Sequence, residues 1–104
     1  FTEKEVDTVA VFGRGESSVL RYNAFNINYP QVAKDNYIQG RVMVEFIVEK
    51  NGSLSNFKIL KDIGGGCGDE ALRILKVMPR WIPAKKKGEY VRSRVLYPVI
   101  FKLE

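Results

Sequence analysis

Val42, Val44, Phe46 and Val48 alternate with Met43, Glu45 and Ile47, and an Asn51-Gly52 pair follows shortly after. Side chains of a strand point alternately to opposite faces, so this spacing predicts a strand with one buried face. Asn-Gly is the strongest short hairpin signal, because a two-residue type I′ turn needs positive φ at both central positions. The register fixed by such a turn sets Phe46 opposite Phe57 and Val44 opposite Ile59 on one face. On the other face it sets Glu45 opposite Lys58 and Arg41 opposite Asp62. Each pair of this kind contributes about 0.2–1 kcal/mol, and a slip by one residue would lose them all.

The glycine run Gly64-Gly65-Gly66-Cys67-Gly68 reads as a flexible loop. Asp69 and Glu70 then open a helix, where acids complement the dipole. Ala71, Leu72, Ile74, Leu75 and Met78 give it an apolar stripe. Pro79 ends it, Trp81 to Ala84 is extended, and Lys85-Lys86-Lys87-Gly88 is a solvated turn. A last strand is expected from about Tyr90 to Leu103. Val91, Val95, Tyr97, Val99, Phe101 and Leu103 share one face; Arg92, Arg94, Leu96, Pro98, Ile100 and Lys102 share the other. A proline inside a strand points to a sheet edge, because it cannot donate to a ladder. Earlier in the chain, Val6, Val9, Ala10 and Val11 within Phe1 to Phe12 suggest a short strand, and Glu16 to about Phe25 a helix with Val19, Leu20 and Tyr22 inward. Pro30 starts a short helix through Ile38, which Gly40 ends. The expected class is α+β: a three-stranded antiparallel sheet, hairpin plus C-terminal edge strand, with two or three helices on one face.

The length suits a single domain. With no histidine, Ser-His-Asp and Cys-His catalysis and histidine-ligated metals are excluded. A single cysteine, Cys67, excludes a disulfide framework and a cysteine zinc site, and with acids close by it reads as an inert thiol. No nucleophile–base pair or metal cluster is visible, so no enzymatic activity, cofactor or metal is expected. The 17 basic and 12 acidic residues leave a net charge of +5. Nucleic-acid binding would need exposed aromatics among the basic residues, yet Tyr97 and Phe101 fall on the core face. Trp81 is expected to be a core anchor, not a ligand platform. The first residue is Phe1, so the chain reads as a processed piece with any signal or anchor outside it.

The order of these signals resembles the TonB C-terminal domain family. The resemblance is carried by Tyr29-Pro30, Ala33, Gly40 with Val42-Met43-Val44-Glu45-Phe46, and Asn51-Gly52. Asp69-Glu70-Ala71-Leu72, Met78-Pro79-Arg80-Trp81-Ile82-Pro83-Ala84 and Tyr97-Pro98-Val99-Ile100-Phe101-Lys102-Leu103 complete it. Tyr29, Pro30, Gly40, Gly52, Trp81, Pro83 and Phe101 are its structural signature. The glycine loop and the stretch from Phe12 to Tyr22 are similar to the Bacteroidetes-type branch, with Phe12-Gly13-Arg14-Gly15 where that branch has Phe-Pro-Gly-Gly. The resemblance implies an N-terminal extension with a short helix over 1–28 and a domain over 29–104.

It also implies a periplasmic domain of an inner-membrane-anchored energy transducer. Such a domain captures the TonB box of outer-membrane TonB-dependent receptors by β-strand addition. It thereby couples the ion-motive force, delivered by ExbB and ExbD through regions outside this chain, to nutrient import. The alternative it leaves open is the C-terminal recognition module of a BlaR-like membrane sensor peptidase. Strand addition uses main-chain bonds for affinity and side-chain pockets for selectivity. If the odd residues of the last strand face the core, the main chain of Arg92, Arg94, Leu96, Pro98, Ile100 and Lys102 faces the open edge, and the missing donor of Pro98 costs the sheet nothing. The same edge could support a strand-exchanged homodimer.

Overall fold

The computed structural model describes residues 1–12, 22 and 26–103. The helix expected over Glu16 to Phe25 lies outside the described residues except for Tyr22, which is helical. The described elements are α1 (Gln31–Asp35), β1 (Gly40–Val48), β2 (Leu54–Lys61), α2 (Cys67–Lys76), β3 (Ala84–Lys86), β4 (Glu89–Val91) and β5 (Ser93–Phe101). One antiparallel three-stranded sheet has the order β2-β1-β5, and β3 and β4 form a separate hairpin. The α+β architecture is as the sequence implies.

The period-2 pattern settles which face is covered. Val42, Val44, Phe46 and Val48 of β1 are buried, as are Val95, Tyr97, Val99 and Phe101 of β5. β1 and β5 pair without irregularity from Gly40↔Phe101 to Val48↔Ser93, so both apolar rows lie on the same side. α2 covers that side with Ala71, Ile74 and Leu75. Trp81 closes it, its ring 5.4 Å from Phe46 and 6.0 Å from Tyr97, both edge-on. Tyr29 stacks edge-on against Phe101 at 5.5 Å, and its hydroxyl donates to the Ile38 carbonyl.

The first hairpin departs from expectation at its turn. Gly52 N–H donates to Glu49 C=O (2.9 Å) and Glu49 N–H to Ser53 C=O (2.8 Å). Gly52 has φ +85° while Asn51 does not lie at positive φ. This is a three-residue loop closing on a left-handed glycine, not a type I′ turn. The reason is tertiary. Gly52 C=O accepts the Trp81 N–H (2.8 Å), and a Cβ on Gly52 would overlap the Trp81 carbonyl. The extra loop residue shifts the pairing to Val48↔Leu54 and Ile47↔Ser55. An irregularity at Asn56, φ +52°, restores the expected Glu45↔Lys58 and Val44↔Ile59. Phe46 and Phe57 meet at 5.9 Å despite this. Arg41 and Asp62 do not pair: β2 ends at Lys61, and the Asp62 carboxylate accepts the Gly64 N–H instead (2.9 Å).

The type I′ geometry occurs elsewhere. Lys87 (φ 51°) and Gly88 (φ 79°) join β3 to β4, so Lys85 and Lys86 belong to a strand and not to a solvated turn. The expected strand from Tyr90 to Leu103 is therefore two strands interrupted at Arg92, and Lys102 and Leu103 follow the end of β5. The glycine loop is also shorter than expected. Cys67 and Gly68 already belong to α2, with the Cys67 thiol fully buried and its pKa raised by that burial and then by Asp62. Gly65, at φ +65°, packs so closely on Ala33 that a Cβ would crowd the Ala33 backbone. Glu70 does more than complement the helix dipole. It is nearly buried, takes two bonds from Arg73 (2.7 and 2.8 Å), and accepts the Asn28 N–H (2.6 Å), tying the chain before Tyr29 to α2.

Candidate strand-docking edge

β5 is an outer strand of its sheet, and its two main-chain directions can be told apart. Arg94 N–H donates to Phe1 C=O (2.7 Å), away from β1, and Arg92 C=O accepts from the Phe1 amino group on the same side (3.3 Å). Main-chain direction alternates along an antiparallel strand. Leu96, Pro98 and Ile100 therefore also turn their main-chain polar groups outward, while Val95, Tyr97, Val99 and Phe101 bond to β1. Pro98 lies opposite Met43, at a position where no ladder bond is lost. This is why the strand tolerates it.

The edge is divided. Thr2 forms a parallel bridge with Arg94, so the chain's own first residues take the Arg92–Arg94 end. After Thr2 the segment turns away, with Glu5 N–H bonded to Thr2 C=O (3.0 Å) and the Thr2 N–H holding the Glu5 carboxylate (2.9 Å). That bond also keeps the Glu5 carboxyl below the ordinary range. Among the described residues, none pairs with the outer side of β5 beyond this bridge. The Leu96 and Ile100 side chains stay about half exposed, at 48% and 47%.

The flanking cations are partly engaged. Arg92 lies in the link before β5 and grips the Glu49 carboxylate through Nε (2.6 Å), which holds that carboxyl below its ordinary value. Arg94 lies 3.8 Å from Glu45. Lys102 is exposed just past the strand. Thus Arg94, Leu96, Pro98 and Ile100 lie on β5 itself, with Arg92 and Lys102 at its two ends. The signature residues, apart from Phe101 at the end of β5, lie off this edge. Tyr29 and Phe101 pack together, Pro30 caps α1, Gly40 begins β1, Gly52 docks on Trp81, and Pro83 precedes β3.

A feature with little trace in the sequence borders this edge. Residues 7–12 form a strap along the β3 side of the molecule. Thr8 and Lys85 exchange main-chain bonds (3.1 and 2.9 Å), as do Val11 and Ile82 (3.0 and 2.7 Å), and Asp7 accepts the Lys87 N–H (2.6 Å). The strap joins no sheet: its β-type pairing is confined to the two bridges, while Ala10 is buried in the core and the Phe12 ring lies 6.0 Å from Trp81. Between it and β5 lies a groove of about 280 Å³, lined by Val9, Ala10, Val11 and Phe12 on one side and Val95 to Pro98 on the other, with Trp81 as floor. The strap's signal in the sequence is Val6, Val9, Ala10 and Val11, which suggest a short strand; the segment forms isolated bridges instead.

The family model for the C-terminal domain of Gram-negative bacterial TonB proteins matches residues 26–103. The chain belongs to the TonB C-terminal family. Two solution structures of the Helicobacter pylori TonB C-terminal domain share the fold. One has TM-score 0.62 and 22% identity, covering 85% of this chain and 92% of that one. The other has TM-score 0.60 and 20% identity, covering 85% and 79%. Among curated proteins none matches the chain. TonB proteins are non-enzymatic energy transducers for transport, and their C-terminal domains are periplasmic and serve TonB-dependent receptors. No helix among the described residues of this TonB domain is long and apolar enough to cross a membrane.

Proposed function

We propose that this TonB domain captures the TonB box of outer-membrane TonB-dependent receptors by adding it as a strand to the outer edge of β5. In this reading the domain works in the periplasm as part of an inner-membrane-anchored transducer of the Bacteroidetes type, and contact with ExbB and ExbD is made outside these residues. The observation that carries the proposal is the outward main chain of Leu96, Pro98 and Ile100 beside half-exposed side chains. An edge of this kind is a template for another strand. Arg92 and Arg94 add positive charge at one end and Lys102 at the other, although the outward groups at Arg92 and Arg94 are already held by Phe1.

Leu96 and Ile100 offer both N–H and C=O, and Pro98 offers C=O only. At about 0.5–1.5 kcal/mol net per bond, against association costs of at least ~4 kcal/mol, main-chain pairing alone gives a weak and reversible grip. Side-chain burial has to supply the rest. The test is a titration of isotope-labelled domain with synthetic TonB-box peptides, followed by amide shifts and hydrogen exchange. Protection of the Leu96 and Ile100 amides with little change on β2 is expected. Binding that leaves β5 amides untouched would refute the proposal.

A further inference from the structure

We infer that the N-terminal strap completes the capture edge: the groove between Val9–Phe12 and β5 is a pocket for one bulky apolar side chain of the incoming strand. This rests on the capture reading above and adds a selectivity element that the residues of the family match do not contain, since the strap precedes residue 26. The groove lies level with Leu96, Tyr97 and Pro98. A strand bonded to the outward groups of β5 sends alternate side chains to either face of the sheet. Those on the core side would enter the space bounded by Val11, Phe12 and Trp81. At about 280 Å³, the groove has room for a large aliphatic or aromatic group.

Two observations point to an extended peptide as the occupant. Phe1 and Thr2 already lie on the same edge as a short parallel rung, so the edge accepts a strand. At Pro98, level with the groove, the edge has no donor to offer. A guest there can bond the Pro98 C=O but forfeits one main-chain bond, and a side chain buried in the groove makes up for it. The walls are suited to hold it. Val9, Ala10, Val11, Phe12 and Leu96 are apolar, and Glu3 is the one charged residue among those lining the groove. Val9 is 41% exposed, leaving its side chain available to a guest.

The experiment measures binding of TonB-box peptides in which each residue in turn is cut to alanine, against the wild-type domain and against Val9→Trp, which fills the groove from its exposed wall. In the wild type, truncation at one apolar position is expected to weaken binding by about tenfold or more, as burial of a large side chain implies. In V9W that dependence should vanish, the full-length and alanine-truncated peptides binding alike. A measurement on the wild type alone guards against a misfolded variant: the guest side chain should give NOEs to the Val9 and Val11 methyls. Binding in which no apolar position stands out, or a V9W effect equal for every peptide, would overturn the pocket and leave strand capture intact. Failure of every peptide to bind either protein would overturn both.

Discussion

Ile100→Pro and Val99→Pro are neighbouring substitutions with opposite expected consequences. Ile100 turns its N–H outward and is 47% exposed. Proline there removes no bond to β1, and the extended backbone it demands of Val99 is the one a strand already has. The I100P domain should keep nearly wild-type stability. It should bind TonB-box peptides more weakly by one main-chain bond, about 0.5–1.5 kcal/mol, or about 2- to 13-fold. Val99 is fully buried and faces Val42 across the ladder. V99P deletes an internal donor, leaves a buried carbonyl on β1 unpaired at about 1–3 kcal/mol, and loses valine packing besides. Urea denaturation should separate the two variants, and calorimetric or NMR titration should show the affinity loss in I100P. If folded I100P binds with unchanged affinity, or if V99P is as mild as I100P, the assignment of the outward direction to the even residues of β5 is wrong.

Phe46 is fully buried between Trp81 and Phe57, so F46A should lower unfolding free energy by about 3–5 kcal/mol in denaturant titration. Arg73, and the Asn28 N–H after it, hold the Glu70 carboxyl below its ordinary range, with burial working against them. The resulting stability is present above the unfolded value of about 4.3 and is lost as pH falls through the lower folded value. E70Q should flatten that acid limb in urea midpoints measured across pH. Lys87 holds a left-handed conformation at φ 51° that costs a residue with a Cβ about 1–2 kcal/mol. K87N should recover about 0.5–1 kcal/mol, because asparagine suits a type I′ turn, raising the urea midpoint without changing its slope.

The sheet was legible because burial imposes a period of 2. Val42 to Val48 and Val95 to Phe101 could not alternate and also lie in a helix, and the parity of Pro98 follows from the same pattern. The turns were less so, since each depends on something distant. Asn51-Gly52 in isolation favours type I′, but the Trp81 main chain seizes Gly52 and selects the longer loop. Lys87-Gly88 carries a weaker local signal, yet the Lys87 N–H is anchored by Asp7, far away in sequence. The strap was almost invisible. Most of its bonds run main chain to main chain with Ile82 and Lys85, and the side chains that help hold it, Asp7, Ala10 and Phe12, follow no strand or helix period. The outer edge could be read from the sequence, whereas the groove beside it and the rung made by Phe1 and Thr2 could not.

β5 meets β1 at every position from Gly40 to Val48, and β1 is held in turn by β2 on its far side. A guest tugged lengthwise along β5 would load these rungs in shear, all at once, with the tension spread over the central strand and on into its neighbour. A guest lifted from one end would break its own few bonds one after another. An attachment of this kind would resist traction and unzip easily, an asymmetry set by the direction of the pull relative to the strand.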